Sequence, residues 1–133
     1  MSGSEWTDPR PMSPHLQVWK WHWTMAASIF HRVTGVGNYI GAFLVSAWVI
    51  AIVAGPETYA TVEGIMLHPV GQILLFFWLA SVLFHLVNGI RHMLWDGPKA
   101  GFSPKVASGW SVFNFAISIL AAATIWSLAT NLF

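Results

Sequence analysis

The amino-acid sequence predicts an all-α integral membrane protein with three transmembrane helices. Of its 133 residues, 56% are hydrophobic and only 8% are charged. A soluble domain carries about 25% charged residues, so this chain has too few of them to cover a water-facing surface. The sequence also contains three apolar stretches, each long enough to cross a bilayer core of about 30 Å.

Composition excludes several classes of site. The chain has no cysteine, which rules out disulfides, thiolate metal sites and cysteine-linked haem. Its net charge of +1 provides no basic arm for nucleic acid. The first residues contain an acid and show neither the basic nor the apolar region of a signal peptide. We therefore expect a bacterial inner (cytoplasmic) membrane protein, and the mitochondrial inner membrane is the less favoured location.

The predicted organisation is an N-terminal segment, 1–23, followed by a three-helix transmembrane domain, 24–133. Three prolines oppose a helix in the N-terminal segment. Trp19, Trp21 and Trp23 resemble the aromatic belt of a membrane interface. We expect this segment to lie in the cytoplasm and at the interface.

The three spans are predicted at about 24–53, 69–95 and 109–132. The segment 55–64 holds two acids and is expected to be a loop. The Asp-Gly-Pro sequence at 96–98 ends the second span, because glycine permits a helix cap and proline cannot continue the helix. The third span has no ionisable side chain and carries no recognisable motif.

The basic residues predict the orientation in the membrane. With three spans, all six fall on the side shared by the N-terminus and the second loop: Arg10, Lys20, Arg32, Arg91, Lys99 and Lys105. The positive-inside rule then places the N-terminus in the cytoplasm and the C-terminus outside.

Two polar clusters lie where the apolar spans meet this basic side. Helical spacing puts the members of the first on one face: Ser28, His31, Arg32 and Gly35. The second cluster also shares a face: His85, Asn88, Gly89 and His92. His85 lies deepest, roughly 16 Å along the axis from the end of its helix at about 1.5 Å per residue. That depth is beyond the reach of snorkelling.

Each of these side chains also has an ordinary structural interpretation. Arg32 could extend to lipid headgroups, and His31 and His92 could be hydrogen-bonding interfacial residues. Ser28 could bond the carbonyl one turn earlier in its own helix. A neutral His85 could form a hydrogen bond between helices, as we expect for Asn88.

The chemical interpretation makes His85 an axial ligand of a haem iron. Gly89, one turn away on the same face, leaves room for the flat macrocycle. Cationic or hydrogen-bonding side chains toward the basic side would compensate the two propionates: His31, Arg32, Arg91 and His92.

A six-coordinate haem needs a second axial ligand. His15 and His22 lie too close to the aqueous side, His68 lies on the opposite side, and His31 is placed near the propionates. The second ligand is therefore expected from another polypeptide. Glycines at 35, 37 and 41 add a surface for close helix contact, so the three helices are predicted to be half of a heterodimeric haem-binding bundle.

Three blocks of the sequence resemble a known family. They are residues 10–16, the Ser-Ile-Phe-His-Arg-Val-Thr-Gly motif at 28–35 and the segment at 85–96 that begins His-Leu-Val-Asn-Gly-Ile-Arg-His. Together, in order and with fitting spacing, they resemble the cytochrome b556 subunits of succinate dehydrogenase, the larger membrane anchors of respiratory complex II. The resemblance covers nearly the whole chain.

The resemblance implies a role for several residues. His85 would ligate haem b, with the other ligand supplied by a second small anchor subunit, while His31, Arg32 and His92 would surround the propionates. Ser28 and Arg32 would line a ubiquinone pocket completed by the partner anchor and the iron–sulfur subunit. The flavoprotein subunit would attach through the iron–sulfur subunit.

The expected function is therefore that of a membrane anchor and haem b-binding subunit of succinate:ubiquinone oxidoreductase. Ser28 would donate a hydrogen bond to a quinone carbonyl, and Arg32 would stabilise negative charge on the quinone as it is reduced. Succinate oxidation itself would occur in other subunits. Two alternatives remain: the anchor of a fumarate reductase, or a non-redox three-span assembly or transport subunit whose histidines bind a metal or relay protons.

Overall fold

The fold is known from a computed structural model that describes residues 20–99 and 101–132. Within these ranges it has four helices and no strand: α1 (Trp23–Ala54), α2 (Pro56–Leu67), α3 (Pro69–Asp96) and α4 (Pro104–Leu132). Helices α1, α3 and α4 are long and apolar enough to cross a membrane. The prediction of an all-α protein with three spanning helices is confirmed. The predicted N-terminal segment lies outside the described residues up to position 19.

The structure corrects the sequence prediction in the two connections. The expected loop at 55–64 is wrong, because most of it belongs to the twelve-residue helix α2. Gly55, with a φ of 113°, separates α1 from α2. Pro56 then occupies the first turn of α2, where its missing N–H has no cost. Helix α4 likewise begins at a proline, Pro104, five residues before the predicted start of the third span.

Helix α3 forms the middle of the bundle, with α1 and α4 packed against it. Helices α1 and α4 also meet near the start of α1. There Phe115 of α4 makes edge-to-face ring contacts with Trp23 and Phe30, at centroid distances of 6.3 and 5.4 Å. Ala26 and Ala27 are buried at this meeting point, because small side chains allow helices to approach closely.

Two of the three α1 glycines are close-contact positions. A Cβ at Gly41 would clash with the indole of Trp78 on α3, and a Cβ at Gly35 would lie 3.1 Å from Cε1 of His85. Gly37 has no atom within 4 Å of its Cβ position. Gly35 and Gly41 thus make close helix contacts within this chain, while the predicted contact at Gly37 stays a prediction.

The bundle buries several polar side chains and exposes most of its large apolar ones. Its largest fully buried side chains are Asn88, Asn114, Ser111 and Ser118. Only 11% of the most apolar segment of α1 and of α3 is buried, and 17% of that of α4. The remaining apolar surface needs lipid or other polypeptides around it, because water would leave it unfavourably hydrated.

Charge is divided between the two ends of the bundle. We call the end where α1 and α4 begin and α3 ends the basic end. The five basic residues of the described part all lie toward it: Lys20, Arg32, Arg91, Lys99 and Lys105. Glu57 and Glu63 of α2 lie at the opposite, acidic end. This division is the one on which the orientation prediction rests.

Candidate functional site

Three histidines from two helices come together toward the basic end. His31 of α1 stacks on His85 of α3, with ring centroids 4.0 Å apart and planes inclined by 12°. The His31 ring also lies 5.1 Å from that of His92. All three rings are half-buried. The structure thus brings together three of the predicted site residues, which we call the histidine cluster.

Hydrogen bonds hold the His85 ring at one nitrogen. Nδ1 lies 3.1 Å from the backbone carbonyl oxygen of His31 and 3.2 Å from Oγ1 of Thr34. A carbonyl can only accept, so Nδ1 carries the proton and donates, while the Thr34 hydroxyl donates to the carbonyl of Phe30 at 2.7 Å. In this tautomer the lone pair is on Nε2, which is the state in which histidine ligates a metal.

Two glycines shape the space around the cluster. A Cβ at Gly35 would lie 3.1 Å from Cε1 of His85, so a larger residue there would displace the ring by a few tenths of an ångström. Gly89 lies one turn after His85, and the nearest neighbouring atom to its Cβ position is Cε1 of His31, at 4.0 Å. A ligating ring fixed by a backbone carbonyl and flanked by glycines fits a haem group.

A bare metal ion fits less well. Among residues 20–99 and 101–132, no group of three or more histidine, cysteine or acidic side chains is arranged to hold one. A b-type haem takes only axial ligands from protein, because the macrocycle provides the other four. His85 is therefore better suited to a haem iron than to a metal site of its own.

His92 is oriented by neighbours on α3. Its Nε2 lies 3.4 Å from the Asn88 side-chain nitrogen, and its ring meets the edge of Trp95 at a centroid distance of 5.4 Å. Asn88 is fully buried and accepts a hydrogen bond from Asn114 of α4 at 3.2 Å. The prediction that Asn88 forms a hydrogen bond between helices is confirmed.

Arg91, another predicted site residue, contacts α4 and Trp95. Its side chain is only 4% exposed and points toward α4, where Nη1 donates to the hydroxyl of Ser111 at 2.6 Å. The guanidinium also lies 4.5 Å above the ring of Trp95. Six residues at about 100° each turn Arg91 roughly 120° away from the direction of His85. The guanidinium is thus held by α4, and its role beside a propionate stays a prediction.

Ser28 and Arg32 lie one turn apart on α1. Ser28 is half-buried, and Arg32 is exposed on the outside of the bundle. Any pocket that both side chains line must therefore take further walls from outside the described chain. This arrangement is compatible with the predicted quinone pocket shared between subunits, and it leaves their role a prediction.

Polar residues of α4 are the main part of the site that the sequence prediction missed. Ser111, Asn114 and Ser118 are all buried against α3. Their spacing of three and four residues places them on one helical face, and that pattern is visible in the sequence. None of the three side chains is ionisable, so the pattern carries no charge signal within an apolar helix.

Together these features define a class: a membrane subunit of three spanning helices that carries a cluster of histidines toward its basic end. The family model for the succinate dehydrogenase/fumarate reductase transmembrane subunit matches residues 7–125 of the chain. The chain belongs to this family.

Curated relatives agree with the family. The chain is 33% identical to the succinate dehydrogenase cytochrome b556 subunit of Paracoccus denitrificans, over 73% of its length and 72% of that protein. It is also 33% identical to the cytochrome b556 subunit of Rickettsia bellii, over 88% of its length and 90% of that protein. The mitochondrial cytochrome b560 subunit of Mus musculus is 34% identical, over 81% of the chain and 66% of the mouse protein.

Proposed function

We propose that the chain is the haem b-binding membrane anchor of a succinate:ubiquinone oxidoreductase, and that it forms part of the site where ubiquinone is reduced to ubiquinol. The observation that carries the proposal is the hydrogen bond from Nδ1 of His85 to the His31 carbonyl oxygen, at 3.1 Å. It fixes the ring in the tautomer that has a ligating lone pair on Nε2. The family and the cytochrome names of its relatives support the same assignment.

His85 would hold the iron of haem b as one axial ligand, and bound haem supplies a one-electron carrier inside the membrane. His31, Arg32 and His92 lie toward the basic end and would compensate the propionates by hydrogen bonds and charge. Gly35 keeps the His85 ring in place, and Gly89 leaves its neighbourhood open.

The second axial ligand would come from another small membrane subunit. His22 precedes α1, and His68 caps the start of α3 at the acidic end, so neither faces the histidine cluster. The mostly exposed apolar faces of the three spans provide the surface for such a partner. An iron–sulfur subunit at the basic end, with a flavoprotein subunit attached to it, would deliver electrons from succinate.

Ser28 and Arg32 would act on the quinone. The Ser28 hydroxyl can donate a hydrogen bond to a quinone carbonyl and orient the ring, and the Arg32 guanidinium stabilises the negative charge that develops on oxygen. An arginine and a serine are poor acids at neutral pH, so the two protons of ubiquinol would come from water or a partner side chain.

The orientation belongs to the same proposal. Positive residues concentrate on the cytoplasmic side of bacterial membrane proteins. The basic end would therefore face the cytoplasm, with the N-terminus on that side, in the inner (cytoplasmic) membrane of a bacterium. This places Ser28 and Arg32 on the side where succinate oxidation by soluble subunits takes place.

The test is the dithionite-reduced absorption spectrum of the purified membrane complex. We expect a b-type α-band in the wild type, its loss in His85→Ala, and its retention in the matched control His68→Ala, which removes a histidine from the acidic end. Co-purification of the other subunits with His85→Ala shows that the complex still assembles. An unchanged α-band in His85→Ala would refute the assignment of this ligand.

A further inference from the structure

Two buried amides connect α4 to the histidine cluster. The Asn114 side-chain nitrogen donates to Oδ1 of Asn88 at 3.2 Å, and the Asn88 side-chain nitrogen lies 3.4 Å from Nε2 of His92. Both asparagines are fully buried. A polar path therefore runs from the interior face of α4, across α3, to the ring of His92.

The order of donors and acceptors along this path fixes the position of a proton. An amide has one accepting oxygen and one donating nitrogen. Because the Asn88 oxygen already accepts from Asn114, the group that Asn88 turns toward His92 is its N–H donor. Nε2 of His92 must then accept, and a neutral imidazole with an unprotonated Nε2 carries its proton on Nδ1.

The rest of the surroundings hold the same ring in place without choosing its tautomer. Trp95 meets the His92 ring edge-to-face, and Arg91 lies over the Trp95 ring. Arg91 is in turn bound to the Ser111 hydroxyl, which donates its own proton to the Ala107 carbonyl at 2.8 Å. These contacts restrict the position of the ring, whereas the contact with Asn88 is made at one of its two nitrogens, Nε2.

We propose that Asn114, acting through Asn88, is a positioning residue of the haem site. It selects the tautomer of His92 in which Nδ1 carries the proton, so that the ring presents an N–H donor to an anionic oxygen such as a propionate. The inference rests on the proposed haem-binding function. The 3.4 Å between the Asn88 side-chain nitrogen and Nε2 of His92 is long for a hydrogen bond. The two asparagines therefore orient His92 more than they add stability.

The first experiment measures the tautomer directly in the intact complex. Nitrogen-15 NMR of histidine-labelled complex in lipid distinguishes a protonated Nδ1 from a protonated Nε2, and the loss of one signal set in His92→Gln identifies His92. We expect the Nδ1–H form in the wild type. A wild-type His92 with its proton on Nε2 would overturn the proposal without any variant of the asparagines.

The second experiment compares Asn114→Leu with Ser118→Ala. Ser118 is equally buried on the same face of α4, but its hydroxyl bonds only the Asn114 carbonyl of its own helix, at 2.6 Å. We expect Asn114→Leu to give a mixture of His92 tautomers and a haem dissociation rate raised about tenfold, as when a residue that orients a side chain of a metal site is removed. Ser118→Ala should change neither. Asn88→Leu provides the same test if Asn114→Leu fails to assemble.

The outcomes separate the two proposals. Loss of the α-band in His85→Ala, together with identical tautomer populations in Asn114→Leu, Ser118→Ala and the wild type, would reject the positioning role and leave the haem assignment intact. Retention of the α-band in His85→Ala would reject the haem assignment itself. A shift toward mixed tautomers and faster haem loss in Asn114→Leu alone supports the positioning role.

Discussion

Replacing Gly35 by alanine would place a methyl group 3.1 Å from Cε1 of the His85 ring. That contact is tighter than nine in ten observed for real Cβ atoms, so the ring would have to move by a few tenths of an ångström. The ring has little freedom to do so, because Nδ1 is held by the His31 carbonyl and the ring stacks on the His31 imidazole at 4.0 Å.

The energetic consequence follows from the hydrogen bond that is strained. A net intramolecular hydrogen bond is worth about 1 kcal/mol, and losing that amount weakens a binding equilibrium about fivefold. We therefore expect Gly35→Ala to assemble with its partners and to bind haem about fivefold more weakly. The measurement is a haem titration of the haem-depleted complex, followed by the reduced α-band.

Gly37→Ala is the matched control, since no atom lies within 4 Å of its Cβ position on the same helix. It should bind haem like the wild type. Equal affinity in the two variants, or a larger loss in Gly37→Ala, would refute the reasoning from ring displacement.

Three further predictions concern the quinone site and the helix contacts. Ser28→Ala and Arg32→Gln should each lower succinate-to-quinone electron transfer about tenfold or more, as when one charge-stabilising donor is removed. Succinate oxidation by an artificial acceptor should persist in both variants. Equal loss of both activities would indicate failed assembly. Gly41→Ala should lower the thermal midpoint of the complex, because overpacking against Trp78 costs about 1–3 kcal/mol, and an unchanged midpoint would contradict it. Ser111→Ala should cost about 1–3 kcal/mol by depriving buried Arg91 of its acceptor, measured as a lower midpoint with an unaltered α-band.

Much of the fold could be predicted from the sequence, because membrane-spanning helices have a distinctly apolar composition. An apolar run of sufficient length has few alternatives to a spanning helix, and proline at position 69 and the Asp-Gly-Pro sequence at 96–98 fixed the ends of α3 closely. Helix α2 was not predicted because it does not show this apolar signal. Its twelve residues include Glu57 and Glu63, so it lacks the apolar signal, and Gly55 next to Pro56 resembles a turn as much as a helix start.

The site was predictable only in part, because helical spacing gives angles on one helix and not the neighbour that each face meets. The spacing of His85 and His92 correctly placed them on one side of α3. It could not show that the stacking partner of His85 is His31, which depends on how α1 packs. Arg91 was assigned to the propionates because it lies near the basic end, and the sequence could not show that its guanidinium meets Ser111 of α4.

The polar contacts between α3 and α4 also affect how these two helices assemble. Two hydrogen bonds join these helices, one between Arg91 and Ser111 and one between Asn88 and Asn114. Both would be broken if α4 slid along α3 by one turn of about 5.4 Å. In a hydrocarbon environment each such bond between helices is worth about 0.6–2 kcal/mol, and apolar side chains offer no comparable preference for one register. The two contacts thus hold α4 in a single register against α3, and that register keeps Asn114 level with Asn88, whose side chain reaches His92.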